Sequence, residues 1–252
     1  MKNYLWVFWA LLSIGFVHAQ EKLTYQKPSE EILELVNAPL APSVLINDEG
    51  NYMELLYRDY YKTIAELSET ELRLAGLRIN PKTNIGSRTN YYNNVIVKKI
   101  GDNEGAQVKG LPENPRLANF NWSPDQSKIA FTNTTTEGVE VMVLDLKSAT
   151  VTAITETNVN ANMRDIINWF KDGESVLVKM LPEDRKPLIN TDEAVPDGPT
   201  ISTNDGKKAQ NRTYQDLLKN PNDEFNFEQL ARSELYKVQM DGTKTKWKDA
   251  DL

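Results

Sequence analysis

The sequence predicts an all-β fold: a partial β-propeller of four-stranded antiparallel blades, preceded by a short helix. Residues 119–155 hold four short apolar strands joined by tight turns, which is the content of one blade. The order tryptophan, turn, apolar strand then recurs, with Trp169 standing 47 residues after Trp122. That interval lies within the roughly 40–50 residues that are typical of propeller blades.

The first predicted element is a helix at residues 28–37. Ser29 is suited to cap it, and Glu30 and Glu31 fall in the first turn, where the helix dipole favours acidic side chains. Pro39 follows and stops the helix.

The repeated pattern occurs four times. A weak copy spans residues 43–56, clear copies span 119–155 and 166–178, and a second weak copy covers 233–238 with its turn at Asp241-Gly242. At about 47 residues a blade, about four blades fit, and an open propeller exposes strand edges that proteins normally avoid. We therefore interpret residues 43–252 as an incomplete propeller.

The clearest copy also predicts how its strands pack. Val139, Val141 and Val143 alternate strictly with other residues, which is the pattern of a β-strand. Trp122 and Trp169 stand at the same point of two copies. We expect both to pack between blades, because a tryptophan buries a large apolar area.

Two further segments interrupt the repeats. Residues 182–211 are rich in Pro, Asp, Asn, Gly and Lys and predict a long loop, either a mobile insertion or a segment that contacts a partner. Residues 213–219 predict a short helix, with Thr213 as its cap and Asp216 three residues later.

Residues 1–19 have the pattern of a signal peptide. Lys2 is followed by an apolar run from Tyr4 to Val17, and Val17 and Ala19 suit the two positions that signal peptidase recognises. The run is short for a membrane helix, although an uncleaved anchor is the alternative. We predict export to the periplasm or the extracellular space without membrane attachment, with residues 20–42 as an N-terminal extension.

Composition excludes several classes of function. With 40% hydrophobic and 26% charged residues the chain is of the soluble globular class, and a net charge of −7 argues against nucleic acid. The absence of cysteine rules out disulfides and thiolate metal sites. The one histidine, His18, lies in the predicted signal peptide, so the mature chain has no imidazole base.

Two ordered runs carry a family resemblance. The first is Leu-Ser-Glu-Thr-Glu-Leu-Arg-Leu-Ala-Gly-Leu-Arg-Ile-Asn at residues 67–80, followed by Ser87-Arg88 and Tyr91-Tyr92, and the second is Arg-Thr-Tyr-Gln-Asp-Leu-Leu-Lys at residues 212–219. With Trp-Ser-Pro-Asp at 122–125 and Lys-Pro-Leu at 186–188, they resemble the N-terminal region of glutamyl-endopeptidase-like members of the prolyl oligopeptidase family of serine peptidases. The resemblance covers roughly residues 25–240. It implies an exported peptidase in which a propeller limits the access of peptides to a C-terminal α/β-hydrolase domain carrying Ser, Asp and His.

The sequence departs from that family where the chemistry takes place. It contains no Gly-x-Ser-x-Gly nucleophile elbow; Gly86-Ser87-Arg88 lacks the spacing and the context. Ser127-Lys128 and Lys147-Ser148 are expected at the surface, and Asn220–Glu224 is too short for a calcium loop. We therefore predict no catalytic, cofactor-binding or metal-binding residue and no cofactor, and we expect the chain to be inactive without the hydrolase domain.

Three functional hypotheses remain open. The favoured one is a propeller portion of a serine endopeptidase that meets its peptide substrate only through the missing hydrolase domain. The alternatives are a self-standing exported propeller that binds a peptide or protein, and a split enzyme whose hydrolase half is a separate chain. Four arginines could meet an acidic substrate, although surface or interstrand ion pairs are the stronger explanation of them: Arg88, Arg116, Arg164 and Arg212.

Overall fold

The computed structural model describes residues 26–190, 206 and 216–251. The predicted signal peptide, His18 and residues 213–215 of the predicted second helix lie outside the described residues. The chain divides after Pro39 into two compact units. The described elements, numbered along the chain, are α1 Glu30–Val36, β1 Ser43–Ile46, β2 Tyr52–Tyr57, α2 Ile64–Leu67, β3 Leu72–Leu74, β4 Leu77–Asn80, β5 Ile85–Gly86, β6 Asn94–Lys99, β7 Ala106–Gln107, β8 Leu117–Trp122, β9 Lys128–Thr134, β10 Val139–Asp145, β11 Thr150–Ala153, β12 Ile167–Trp169, β13 Ser175–Met180, α3 Pro221–Ala231, β14 Ser233–Gln239 and β15 Lys244–Asp251.

Helix α1 forms where the sequence predicts it, but the predicted cap is wrong. Ser29 occupies the N-cap position without accepting a hydrogen bond from the first turn. Its hydroxyl instead donates to the Glu31 carboxylate at 3.4 Å. A charged acceptor two residues away competes well with a backbone amide for a serine side chain.

The fold is mostly β, as predicted, and its described residues form four separate antiparallel sheets. Three of them have four strands that lie side by side in chain order: sheet 1 (β1, β2, β6, β7), sheet 2 (β8 to β11) and sheet 3 (β12 to β15). The fourth is a small three-stranded sheet of β3, β4 and β5.

Sheet 2 is the meander that residues 119–155 predict. Trp122 ends its first strand, just as Trp169 ends the first strand of sheet 3, so the 47-residue interval relates equivalent points of two sheets. The turns that follow are also equivalent. Asp125 accepts hydrogen bonds from Ser123 and Ser127, while Asp172 accepts them from Glu174 and Ser175.

The weak copy at residues 233–238 is not a further blade, and that prediction is wrong. Strand β14 pairs with β13, with Val178 opposite Tyr236, so it supplies the outer half of sheet 3. Sheet 1 is interrupted at the same place, because β2 pairs with β6 across an insertion of residues 58–93. In sheets 1 and 3 an insertion separates the second strand from the third. The 47-residue interval is lost there, so the sequence pattern did not indicate that β2 pairs with β6 and β13 with β14.

The three four-stranded sheets pack face to face in chain order. One core joins sheets 2 and 3 and contains Val141 and Val178; the other joins sheets 1 and 2 and contains Val95 and Leu144. Strand β10 is therefore buried on both faces. The alternating valines face sheet 3, and the residues between them pack toward sheet 1, which the alternation did not indicate.

The predicted tryptophan positions are confirmed. Trp169 packs against the core between sheets 2 and 3, and Trp122 packs against the core between sheets 1 and 2. Each ring covers apolar area that would otherwise be open at the rim of a sheet interface.

The described parts of the two insertions, which occupy residues 58–93 and 181–232 of the sequence, pack on one another. Leu74 and Ile79 of the small sheet share an apolar cluster with Leu230 of α3. Part of the second insertion was predicted as a helix at 213–219, but the described residues from Asp216 onward are not helical and the helix begins at Pro221. Asn220 caps it by accepting a hydrogen bond from the Asp223 amide at 2.9 Å, and proline suits the first helical position.

The long loop predicted at residues 182–211 is confirmed for its described portion, which has no regular structure. Residues 186–189 nevertheless bond to α3: the Lys186 amide donates to Gln229, and the Ile189 amide donates to Asn226. None of the helices in the described ranges is long and apolar enough to cross a membrane.

Candidate functional site

A cleft of about 530 Å³ lies where the first strands of sheets 2 and 3 adjoin. One wall is the middle of β8, and the other is the segment 161–168 that leads into β12. The turn after β5, in the first insertion, contributes Gly86 and Thr89. Three chain segments that are distant in sequence therefore meet at this cleft.

The β8 wall is shaped by an irregularity in the strand. The pairing of β8 with β9 shifts register between Ala118 and Asn121, and Asn119 within the shift has a φ of 56°. Asparagine tolerates this left-handed conformation better than most residues. The Asn119 amide donates to the Thr132 hydroxyl at 2.8 Å, which holds the bulge in place. Bulges of this kind re-aim side chains next to functional sites.

Asn121 ties the two walls together. Its side-chain amide donates to the Ile167 carbonyl at 2.8 Å, and its own carbonyl accepts from the Trp169 indole N–H at 3.0 Å. The first strands of sheets 2 and 3 are thus fixed side by side by polar bonds above the apolar core, and the cleft has a rigid floor.

The opposite wall carries the charged groups. Arg164 and Asp165 are both exposed, and Asp165 has a φ of 57°. The Arg164 carbonyl accepts from the Lys179 ammonium at 2.6 Å, and the Asp165 carbonyl accepts from the Asn168 amide at 3.3 Å. The cleft thus offers amide groups, which both donate and accept, beside an arginine, the set that an extended peptide backbone and a carboxylate require.

The structure separates the four predicted arginines. Arg164 lines the cleft and its guanidinium makes no ion pair with any described residue. Arg116 is paired with Glu69 at 3.0 Å, and Arg88 lies 3.7 Å from Glu71. Arg212 lies outside the described residues. Of the three candidate arginines that the structure describes, two are therefore engaged in ion pairs, as the favoured interpretation of these residues predicts.

The pairs considered for catalysis have other partners. The Ser127 hydroxyl donates to Asp125 at 2.7 Å, and Lys128 donates to the Gly173 carbonyl and to Glu174. Hydrogen bonds from Ser123 and Ser127 lower the pKa of Asp125 to about 2, so this carboxylate remains ionised as a turn acceptor. Among the residues that the structure describes, no three His, Cys, Asp or Glu side chains lie close enough to hold a metal ion.

Of the cleft residues, Arg164 was a candidate from the sequence, but the asparagines were not predicted. Asn119 and Asn121 lie in a segment that was assigned as a strand, and their role depends on a bulge that leaves no periodic signal. The asparagine content of 119–121 and 160–168 is the one feature that marks these segments, because asparagine is uncommon within regular strands.

Two curated proteins match most of the chain. The probable glutamyl endopeptidase, chloroplastic, of Arabidopsis thaliana is 28% identical over 237 residues, covering 87% of this chain and 24% of that protein. The protein of the same name from Oryza sativa subsp. japonica is 29% identical over 238 residues, with the same coverage. This chain is similar to the glutamyl endopeptidases over most of its length. The predicted resemblance to that group of the prolyl oligopeptidase family is therefore confirmed.

The chain spans about a quarter of the length of the curated relatives it matches. No family model matches it. Among solved structures, it is similar to the acylaminoacyl peptidase of Pyrococcus horikoshii, with 11% identity, a TM-score of 0.39, and coverage of 83% of this chain and 26% of that one. An acylaminoacyl peptidase in complex with Z-Gly-Gly-Phe-chloromethyl ketone aligns with 13% identity and a TM-score of 0.40, covering 86% and 26%.

The two runs that carried the resemblance meet in the structure. Residues 72–80 form the β3–β4 hairpin, whose Gly76 amide donates to the Asp216 carbonyl at 3.1 Å. Arg78 also forms an ion pair with the Asp216 carboxylate at 3.3 Å. These runs therefore form the contact between the two insertions rather than a wall of the cleft.

Proposed function

We propose that this chain is a non-catalytic propeller portion of a longer, exported serine endopeptidase of the glutamyl endopeptidase type, and that it gates the access of peptides to an α/β-hydrolase domain. The observation that carries the proposal is the relationship to two glutamyl endopeptidases over 87% of the chain. The whole enzyme supplies the nucleophile, acid and base that the mature chain lacks.

The sheet arrangement supports the propeller part of this proposal. Three successive four-stranded meanders pack face to face, and their first turns lie near one another: the Asp48 amide donates to Gln126, and Lys128 donates to the Gly173 carbonyl. Blades of a propeller have this order, with the first strand of each nearest the axis. The cleft then lies beside the inner strands, where a peptide travelling along the axis would pass.

The peptidase relationship is tested by reading the coding sequence beyond the codon for Leu252. We expect the frame to continue, directly or after one frameshift, into a Gly-x-Ser-x-Gly elbow followed by an Asp and a His. A genuine stop with no hydrolase gene nearby would overturn it. Export is tested separately by sequencing the N-terminus of the secreted protein, which we expect to begin at Gln20.

Gating is tested on the whole enzyme with two substrates of different size. We expect Arg164→Glu to change the hydrolysis of an unfolded protein chain while the hydrolysis of a short glutamyl peptide stays the same, because a small peptide needs fewer contacts along the entry path. Lys147→Glu, which makes the same charge change at an exposed residue far from the cleft, is the matched control. Equal effects of both variants on both substrates would contradict a gating role.

The second candidate is a self-standing exported propeller that binds a peptide. The free guanidinium of Arg164 beside the cleft amides favours it, because such groups recognise extended backbone and carboxylate alike. Peptide binding by this chain with a genuine stop after Leu252 would support the binding module over the peptidase.

A further inference from the structure

The first insertion begins with a stretch that exposes apolar side chains. Tyr60, Tyr61, Ile64 and Leu67 are 62%, 65%, 86% and 70% exposed, and we call these four side chains the α2 patch. No other eight consecutive residues in the described ranges expose four large apolar side chains. Single exposed apolar residues are common at protein surfaces, but a contiguous group of them marks an interaction site.

The α2 patch is contiguous and is held by local bonds. The ring centroids of Tyr60 and Tyr61 lie 4.5 Å apart. Ile64 and Leu67 are three positions apart in α2, so they lie on the same side of that helical turn. A capping box closes the turn, and no residue of α2 is buried. The four side chains are therefore positioned by the local backbone and not by packing against the cores of the sheets.

The area of the α2 patch limits what can cover it. At roughly 150–200 Å² for a large apolar side chain, these exposures leave about 400–600 Å² on each copy of the chain. Two copies that pair through this surface would bury about 800–1,100 Å² in total, close to the roughly 1,000 Å² that a specific interface needs. A second copy is therefore large enough to cover the patch, and the contact would be a weak one that depends on protein concentration.

The charged side chains beside the α2 patch balance one another. A pocket of about 110 Å³ next to the tyrosine pair is lined by two cationic and two acidic side chains of the first insertion: Arg58, Asp59, Lys62 and Glu66. Arg116 also lines this pocket, but its charge is already paired with Glu69 at 3.0 Å. The edge of the patch thus has no net charge and favours neither an acidic nor a basic partner.

A neutral edge of this kind is complementary to itself. When two copies meet about a twofold axis, each surface faces an identical one, so a cation of one copy can lie opposite an acid of the other. Arg58 and Asp59 are both exposed, and neither forms an ion pair with another described residue. One charge of each sign is thus available for such a contact. An apolar centre with a polar edge is also the usual anatomy of a protein interface.

We propose that the α2 patch is a self-association surface through which two copies of the protein form a symmetric dimer. The tyrosine pair, Ile64 and Leu67 form the apolar centre, and Arg58 of one copy faces Asp59 of the other at the edge. This inference goes beyond the proposed function and does not use the peptidase relationship, since it depends on residues 58–67 alone.

The first test is sedimentation velocity of the protein over a range of concentrations, which should show a dimer that forms as the concentration rises. Tyr60→Ser/Ile64→Ser should weaken the dimer at least about a hundredfold, because two large side chains are lost from each copy. Val44→Ser/Ile46→Ser removes exposed apolar side chains from the outer face of sheet 1. This matched control should leave the dimer unchanged. Circular dichroism establishes that each variant is folded.

A pair of charge variants tests the twofold arrangement. Arg58→Glu makes the edge acidic and Asp59→Lys makes it basic, so each variant alone should associate about tenfold more weakly than the unaltered protein. An equimolar mixture of the two should form a heterodimer, because opposite charges then face one another. Sedimentation of the mixture with one variant fluorescently labelled measures it.

Several results would overturn the proposal. The protein could remain monomeric at every concentration, or the control variant could weaken association as much as Tyr60→Ser/Ile64→Ser does. A mixture of the charge variants that associates no better than its components would exclude a twofold contact at this edge. If the coding frame continues and the whole product is monomeric, the patch is covered within one molecule. Binding to neutral lipid vesicles that Tyr60→Ser/Ile64→Ser abolishes would assign the patch to a membrane surface.

Discussion

Sheet 2 and its two neighbours have the same four-stranded order but are built from the sequence in different ways. Sheet 2 occupies one uninterrupted stretch, residues 117–153, with short turns between its strands. Sheets 1 and 3 each have an insertion between the second and third strands, residues 58–93 and 181–232. The uninterrupted sheet lies in the middle and is buried on both faces, while each interrupted sheet shares one core with it.

The contrast between the central sheet and the insertions separates the part of the molecule that stabilises the fold from the parts that carry polar surface. Sheet 2 contributes residues to both cores, so its loss would remove the packing of the other two. The insertions carry polar surfaces: Gly86 and Thr89 of the cleft lining, and the contact of the β3–β4 hairpin with Asp216. Loops and insertions positioned by a rigid scaffold commonly have this role.

The largest expected effect comes from emptying the middle of sheet 2. Phe131 of β9 is fully buried, and its ring stacks on Phe120 at 5.0 Å. Phe131→Ala should lower the free energy of unfolding by about 3–5 kcal/mol, because the removed ring leaves a cavity between sheets 1 and 2. Chemical denaturation measures it.

The control for that change lies in an interrupted sheet. Ile46 is 54% exposed at the outer face of sheet 1, and Ile46→Ala should change the same free energy by less than about 0.5 kcal/mol. Similar losses in both variants would show that sheet 2 is not the central support of the fold.

The sequence predicted the uninterrupted sheet well and the interrupted ones partly. Turn residues such as Asp125 and Asp172 bond to residues two or three positions away, so a short stretch of sequence is enough to predict the turn. The nearest pair of β13 and β14, Met180 and Glu234, is 54 residues apart because the second insertion lies between the strands, so no local pattern identifies them as partners. Helix α3 was missed although Asn220 and Pro221 are a strong start signal, because a neighbouring capping pattern at Thr213 was preferred. The cleft was missed because a bulge at Asn119 creates it.

The second prediction concerns Glu54, a buried acid in the core between sheets 1 and 2. Glu54 in β2 is fully buried with both carboxylate oxygens unpaired in the described structure, and it lies opposite Val97 on the core face of sheet 1. Burial raises the pKa of Glu54 from 4.5 to about 7. Among the described residues, Glu54 has the only carboxylate oxygens that are buried without a hydrogen-bond partner; the buried Glu234 of sheet 3 is bonded to Lys246 and Tyr236.

This pKa makes stability fall as pH rises. Below pH 4.5 the carboxyl is protonated in both states and contributes no pH dependence. Between pH 4.5 and 7 the unfolded chain releases the proton while the folded chain retains it, so the free energy of unfolding decreases by about 3 kcal/mol in total and then stays level. Glu54→Gln should remove this slope, and Glu54→Leu should also stabilise the fold at pH 8. Chemical denaturation of each protein at pH 5 and pH 8 measures the free energy of unfolding. If Glu54→Gln loses as much stability between these two pH values as the unaltered protein does, Glu54 is not the group responsible.

The third prediction tests how the insertions are joined to sheet 3. The Asn160 side chain is buried, donates to the carbonyls of Leu230 and Arg232 and to the Ser233 hydroxyl at 3.0 Å each, and accepts from Asn84. Asn160→Ala leaves these partners unsatisfied and should cost about 2 kcal/mol.

Hydrogen exchange locates that loss. We expect faster exchange at the start of β14 and at the end of α3, with sheet 2 still protected, because the amide joins the insertions and not the central sheet. Asn103→Ala, at an exposed turn residue, is the matched control and should leave exchange unchanged. Uniformly faster exchange across sheet 2 would mean that the insertions and the central sheet unfold together.

The smallest effect is expected in the first insertion itself. Thr63 and Glu66 form a capping box at α2: the Glu66 amide donates to the Thr63 hydroxyl at 3.2 Å, and the Glu66 carboxylate accepts from the Thr63 amide at 2.8 Å. Thr63→Ala should destabilise this turn by about 1 kcal/mol, while Thr63→Ser should retain it. Because no residue of α2 is buried, the free energy of global unfolding should not change, and the effect should appear as faster amide exchange at Leu67 and Ser68. A change in global stability would show that the first insertion supports the sheets it interrupts, and the contrast between the uninterrupted and interrupted sheets would then be one of sequence order alone.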